Sequence, residues 1–159
     1  AKVAPHVNAW DEAGGFPRAL YRRASELGLL QLGYPEALGG TPCGLGFRLI
    51  AAEEIARTGA GGLMASLFSH NIGLPPVVAH GSVELRRRVV PPVLAGEAVA
   101  ALAVTEPGGG SDVARLRTTA RRDGDHYVID GEKTFITSGL RADWITTAVR
   151  TGGPGAGGI

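Results

Sequence analysis

Apolar residues recur at helical spacing through the first part of this chain and collect into strand-length runs through the rest. Between Pro17 and Gly28, Leu20, Ala24 and Leu27 fall at i, i+4 and i+7, with Arg18, Arg22 and Glu26 on the other face. Proline in the first turn and glycine at the end bound this predicted helix. Leu29 to Gly40 carries Pro35, Gly39 and Gly40 and reads as a loop. The helical period returns from Cys43 to Arg57. There Phe47, Ala51 and Ile55 make one row and Leu45, Leu49, Ala52 and Ala56 another, an arc wide enough to predict burial among other helices. Gly59 to Val78 reads as a buried helix broken near Gly73-Leu74-Pro75-Pro76. Ser82 is placed to cap a short helix bearing Glu84 to Arg88, with Pro91-Pro92 as its expected limit.

After Gly96 the period changes. Val99 to Val104 is a continuous apolar run of strand length, and Asp123-Gly124 and Asp130-Gly131 are tight-turn dipeptides seven residues apart. The runs around them, Arg117 to Arg122, Asp125 to Ile129 and Glu132 to Thr137, predict a β-meander. In the middle run Tyr127 and Ile129 face one way, His126 and Val128 the other. Asp143 to Arg150, carried by Trp144, Ile145 and Val149, predicts a further strand. Helices followed by antiparallel strands, without βαβ alternation, place the chain in the α+β class as two blocks.

Composition narrows the function classes. Of the 159 residues 44% are apolar and 19% charged, which predicts a packed core rather than disorder. Lys and Arg number 16 against 15 Asp and Glu, so there is no nucleic-acid footprint, and Arg86-Arg87-Arg88 reads as a solvated helix face. A single cysteine, Cys43, excludes an intramolecular disulfide framework, suits a reducing compartment and is read as a packing residue. No apolar run reaches the ~18 residues of a membrane span, because His70, Asn71 and Pro75-Pro76 interrupt the best candidate. No secretory signal pattern opens the chain, and the expected location is cytoplasmic. The sequence starts without Met and ends in the Gly-rich run Gly152 to Gly158, so both ends read as cuts or limits of an ordered region, and the run itself as a flexible loop.

The chemistry centres on Val104-Thr105-Glu106-Pro107-Gly108-Gly109-Gly110-Ser111-Asp112, where the apolar run enters a glycine-rich turn. Glycines let the backbone approach a ligand, and backbone N–H groups beside a hydroxyl suit a phosphate. Spacing alone leaves this open between an anion-binding turn and a surface turn. Dinucleotide and P-loop fingerprints are absent: no third glycine opens a helix in a βαβ unit, and no Gly-Lys-Ser/Thr occurs. Ser111 lacks a nucleophile-elbow context, and no histidine completes a triad with Asp112. Glu53 and Glu54 are neighbours on a helix, about 100° apart, so they do not converge, and they read as exposed or arginine-paired. His70 reads as a hydrogen-bonded core residue. His6, His80 and His126 are scattered, and no metal site is expected.

These residues resemble the acyl-CoA dehydrogenase family. Val104 to Val113 resembles its T-E-P-G-A-G-S-D signature, and Tyr127-Val128-Ile129-Asp130-Gly131-Glu132-Lys133-Thr134-Phe135-Ile136-Thr137-Ser138-Gly139 its Y-x-I-N-G-x-K-x-[WF]-I-T-N-G segment. Leu27-Gly28-Leu29-Leu30, Pro35-Glu36-Ala37-Leu38-Gly39-Gly40 and the run from His70-Asn71 to Glu97 are similar too, so the resemblance covers nearly the whole chain. It implies an N-terminal all-α domain over residues 1–97 and, over 98–159, the first part of an antiparallel β-barrel-like middle domain. The rest of that domain and a C-terminal four-helix domain are absent from this sequence. The implied activity is α,β-dehydrogenation of an acyl-CoA thioester to the trans-2-enoyl-CoA by bound FAD, as in β-oxidation of fatty acids. The implied partners are the acyl-CoA, an electron-transferring flavoprotein and further copies of the chain, as a dimer or tetramer.

Carried over position by position, Leu102, Val104, Thr105, Gly110 and Ser111 would meet FAD, as would Phe135, Ile136 and Thr137. Val104 and Thr105 would bond the flavin ring, Gly110 and Ser111 the pyrophosphate, and Ser111 also the CoA chain. Phe135 would stack near the isoalloxazine and Thr137 bond near N5. There are departures from the family pattern. Leu102 stands where many members carry an aromatic residue, Phe135 replaces the commoner tryptophan, Gly109 the usual alanine and Ser138 the usual asparagine. The family's catalytic glutamate belongs to the C-terminal domain, so no catalytic residue is assigned, and Glu106 is read as structural. The chain alone is expected to retain FAD weakly or not at all. An acyl-CoA oxidase or flavin monooxygenase of the same fold, or a non-catalytic scaffold relative, are the alternatives. Acyl chain length and branching are not readable.

Overall fold

Ahead of the first predicted helix the chain forms α1 (Val7–Glu12), and the predicted helix follows as α2 (Ala19–Glu26) in a computed structural model describing residues 3–159. Helix α2 buries Tyr21 and Ala24, whereas Leu27 is 58% exposed. The chain leaves the helix at Leu27, and Gly28 turns with φ +74°, which rotates that side chain off the apolar stripe. Helix α3 (Leu45–Ala56) forms as predicted but buries none of its residues, and Leu45, Phe47, Leu49 and Ile50 are all exposed. Periodicity made the helix; burial needs a facing element, and among the described residues only the Ala51, Ala52 and Ile55 part of the arc is half-covered. Glu53 and Glu54 both pair with Arg57, at 3.2 and 3.6 Å.

The predicted long buried helix is three pieces: α4 (Gly61–Leu67), α5 (His70–Gly73) and α6 (Pro75–His80). Pro75 and Pro76 open α6, where their missing N–H groups cost nothing, and a second break falls at Phe68-Ser69. Ser82 caps α7 (Val83–Leu94), its hydroxyl accepting from Leu85 N–H at 3.1 Å. Pro91-Pro92 does not limit α7; both lie inside it. Their carbonyls accept from Ala95, Glu97 and Ala98, and Val89, Val90, Val93 and Leu94 are buried, so packing outweighs the two lost helical bonds.

Strand β1 (Ala100–Ala103) and its approach join two cores. Val99 packs with Phe16, Tyr21 and Leu63, while Ala98 and Ala100 pack with Leu74, Val90 and Leu94. Alternation along an extended chain sends these neighbours to opposite sides. Helix α5 lies against the strand so closely that a Cβ on Gly73 would stand 2.8 Å from the Ala101 carbonyl oxygen. Ser69 Oγ donates to the Ala100 carbonyl at 2.8 Å in the same contact.

The β block departs from an all-antiparallel meander. Strands β2 (Thr119–Asp123) and β3 (His126–Asp130) form the hairpin signalled by Asp123-Gly124. Both strands are largely exposed, including Tyr127, Val128 and Ile129. Strand β4 (Trp144–Thr147) pairs with β1 in parallel, Ala100 opposite Trp144, and is shorter than the predicted run. The long excursion through the hairpin allows the parallel return. Residues 132–137 form no strand, because Lys133 and Thr134 are bonded to the end of β1 and draw that segment out of the hairpin. The Gly-rich tail is folded back as well: Thr151 and Gly152 donate to the Gly158 carbonyl, and the Arg150 guanidinium bonds carbonyls of Ala114, Leu116, Gly153 and Gly155. Among the described residues, no helix is long and apolar enough to cross a membrane.

Candidate functional site

The glycine-rich turn is closed by two backbone bonds. Glu106 and Gly109 exchange N–H and C=O at 3.0 Å each, leaving Pro107-Gly108 as the tip. Proline presets the first corner of such a turn and glycine relaxes the next. The Glu106 side chain then reaches across the base of the loop. Its carboxylate accepts from Arg117 N–H (2.7 Å), Thr118 N–H (2.8 Å) and the Thr118 hydroxyl (2.6 Å). Lys133 Nζ, at 3.0 Å, adds a fourth donor. Burial pushes this carboxyl up, but the four donors outweigh it and hold the pKa at about 2. Glu106 is therefore an anion with its oxygens engaged. A group so placed ties the loop together.

Lys133 and Thr134 bring the two sequence motifs together. Lys133 Nζ donates to the Val104 carbonyl at 2.9 Å, and Thr134 N–H to the Thr105 carbonyl at 2.9 Å. The Val104-Thr105 end of β1 therefore lies beside the segment that leads into Phe135-Ile136-Thr137. That segment is bent: Phe135 has φ +55° and Ser138 φ +64°, a left-handed region few non-glycine residues occupy. Ser138 is anchored on α4, its Oγ 2.7 Å from Ser66 Oγ. The Phe135 ring is left 91% exposed. Leu102, in β1 opposite Thr146, is half-buried, as are Val104, Thr105, Gly110 and Ile136, whereas Ser111 and Thr137 are exposed. Among the described residues the hydroxyls of Thr105, Ser111 and Thr137 bond to no protein group, nor do the N–H groups of Thr105, Ile136 and Thr137. Gly110 sits against the Thr105 side chain, where an added Cβ would lie 3.1 Å from Oγ1 and from Cγ2.

The cavities do not gather all these groups. A space of about 110 Å³ inside the loop is lined by Val104, Glu106, Gly110 and Arg117, but not by Thr105 or Ser111. A larger one, about 510 Å³, lies between α1, α4 and residues 136–141 and takes in Ile136 alone of the predicted ligands. His70 is buried in the core, as predicted, with Nε2–H donating to the Leu30 carbonyl at 3.0 Å. No cluster of three or more metal-ligating side chains occurs among the described residues. Neither Lys133 nor Thr118 carries a local sequence signal for a role at this site. A strand-like alternation sends Lys133 to solvent, and nothing local signals that its ammonium turns inward onto a carboxylate from another segment.

Comparison with known proteins extends over the same residues. Residues 1–97 match the acyl-CoA dehydrogenase N-terminal domain and residues 101–159 the acyl-CoA dehydrogenase middle domain. The benzylmalonyl-CoA dehydrogenase of Aromatoleum aromaticum is 38% identical over 151 residues, 95% of this chain and 40% of that protein. A Mycobacterium smegmatis structure assigned to the acyl-CoA dehydrogenases superposes with TM-score 0.94 at 54% identity, covering 98% of this chain and 41% of that one. An acyl-CoA dehydrogenase from Bacillus anthracis, solved with FAD, aligns with TM-score 0.77 at 36% identity over 84% of this chain and 23% of its own. The chain thus spans about 40% of the length of the curated relatives it matches. A helical block followed by a small β block, with both signature motifs side by side at the end of β1, belongs to the acyl-CoA dehydrogenase family.

Proposed function

We propose that this chain is the cofactor- and substrate-binding half of an FAD-dependent acyl-CoA dehydrogenase, with residues 1–97 and 98–159 as its helical and middle-domain parts. The observation that carries the reading is the pairing of the two motifs through Lys133 and Thr134, which sets unpartnered hydroxyls and N–H groups beside a bare aromatic ring. A flavin needs that donor set: polar hydrogens for its ring edge and pyrophosphate, and a flat apolar face. The residues present fit it. Thr105 and Val104 would hold one edge of the ring, Ile136 and Thr137 another, and Phe135 would cover part of its face. Gly110 and Ser111 would receive the pyrophosphate, with Ser111 also near the CoA chain. Leu102 offers only backbone and an aliphatic surface. When bound, FAD supplies the hydride-accepting chemistry of acyl-CoA α,β-dehydrogenation, with electrons passing on to an electron-transferring flavoprotein.

This chain's residues bind and orient. Glu106, held as an anion by four donors, is not assigned the role of proton acceptor in this reading. The test is an FAD titration of the protein expressed from its complete gene, followed anaerobically by acyl-CoA thioesters of short, medium and long chain. We expect a stoichiometric yellow flavoprotein whose visible band bleaches with at least one thioester and recovers with an electron-transferring flavoprotein. Gly110→Ala, which presses on Thr105 Oγ1, is expected to raise the Kd for FAD about tenfold, the loss of roughly one charge-assisted contact. A protein that takes up FAD but does not bleach with any thioester overturns the dehydrogenase reading.

A further inference from the structure

Two short stretches meet at the base of the glycine loop, and their contact is unusually specific for a junction of loops. Lys133 and Thr134 bond three consecutive residues, Val104, Thr105 and Glu106, through one ammonium and one amide. The ammonium and the carboxylate it meets are each only 10% exposed, so counter-ions screen the pair little. Immediately beyond the contact the backbone enters the left-handed conformation of Phe135, and it does so again at Ser138. Such conformations persist only where surrounding structure holds them. The holding is visible at both ends. Lys133 and Thr134 grip the end of β1, and Ser138 Oγ also donates to the Ser66 carbonyl on α4 at 3.2 Å. Between the two grips lie Phe135, Ile136 and Thr137.

We propose that Lys133 is a positioning residue, whose ammonium, held between the Val104 carbonyl and the Glu106 carboxylate, sets the separation between the Thr105 edge and the Phe135-Ile136-Thr137 edge of the flavin site. The proposal rests on the flavin reading of this site and adds the device that keeps its two edges in register. Glu106 acts in two directions. Three of its four bonds close the glycine loop, and the fourth transmits the position of that loop to Lys133. Removing the ammonium leaves the loop closed, because Arg117 N–H, Thr118 N–H and the Thr118 hydroxyl still satisfy the carboxylate. Removing the carboxylate charge disturbs both, since a glutamine amide places an NH₂ opposite donors that need an acceptor.

The experiment compares wild type, Lys133→Met and Glu106→Gln, each expressed from the complete gene and stripped of flavin. FAD is titrated by quenching of its fluorescence and by its visible absorption, and amide exchange is followed in the flavin-free protein. Lys133→Met is expected to raise the Kd for FAD tenfold or more and to shift the visible band of whatever flavin binds. It should also speed exchange of the Thr134 amide at least tenfold, while the Thr118 amide stays protected. Glu106→Gln is expected to expose both amides, and it is the variant read if Lys133→Met does not fold. Thr134 exchange at the wild-type rate, or FAD affinity within twofold of wild type in both variants, overturns the proposal while leaving the flavin reading intact. A wild-type protein that takes up no FAD overturns both. That result is told apart from the former because it needs no variant.

Discussion

His70 opens helix α5 and is 3% exposed, and its imidazole answers to a carbonyl rather than a charge. Burial drives its pKa down to about 4 against bonds to the Leu30 and Leu67 backbone that favour the protonated ring. Beside it the Tyr34 hydroxyl donates to the His70 carbonyl at 2.9 Å, and burial keeps that phenol protonated above its usual range. Between pH 6.5 and 4 the unfolded chain takes up a proton that the native ring refuses, so native stability from this residue is full above pH 6.5 and drains away as the pH falls to 4. Thermal unfolding at pH 7 and pH 5 should show a smaller loss of Tm in His70→Gln than in wild type. Equal losses would mean that the ring protonates without unfolding. The core role of His70 was readable from its isolation among apolar residues. That of Lys133 was not, because its partners lie 27 and 29 residues away.

Elements depend on their termini as much as on their interiors. The only side-chain N-cap among the described helices is Ser82 on α7. Ser82→Ala should lower stability by about 1 kcal/mol, read as a shifted urea midpoint with an unchanged slope. An unchanged midpoint would show that water replaces the hydroxyl at no cost. Helix α7, the cap and the hairpin at Asp123-Gly124 were legible because their causes are local: a periodic stripe, a hydroxyl at the start, a dipeptide suited to a tight turn. Two expectations failed for a non-local reason. Pro91-Pro92 stays helical because four buried neighbours hold it. Glu132 to Thr137 is no strand because the end of β1 claims its polar groups.

At the scale of the whole molecule, Asp143 joins the blocks. Its carboxylate accepts from Val99 N–H at 2.8 Å, at the entry to β1, and pairs with Arg18 at the start of α2. Arg18 also donates to the Arg141 carbonyl at 3.0 Å, and the Arg141 guanidinium lies 4.6 Å from the centre of the Phe16 ring. Burial raises the Asp143 carboxyl, but the Val99 N–H and Arg18 together leave it below its ordinary value. Both side chains are nearly half exposed, so the ion pair itself contributes little. Loss of the carboxylate should therefore matter more than loss of its cation. Asp143→Ala, which also strands Val99 N–H, should cost about 1 kcal/mol, and Arg18→Ala less than half of that, both from urea midpoints. Equal costs would assign the junction to the ion pair instead.

Short-range physics along the chain is enough for the main helical stretches, one tight hairpin, the apolar strand and the glycine turn, and the motifs are enough for the family. Packing between distant segments set how these meet. It made the β1–β4 pairing parallel, left most of the apolar arc of α3 uncovered, folded the Gly-rich tail onto Arg150 and turned Lys133 inward. Periodicity and turn chemistry act over a few residues. The pairing of a largely buried ammonium with a carboxylate 27 positions away is settled only when both have lost most of their water.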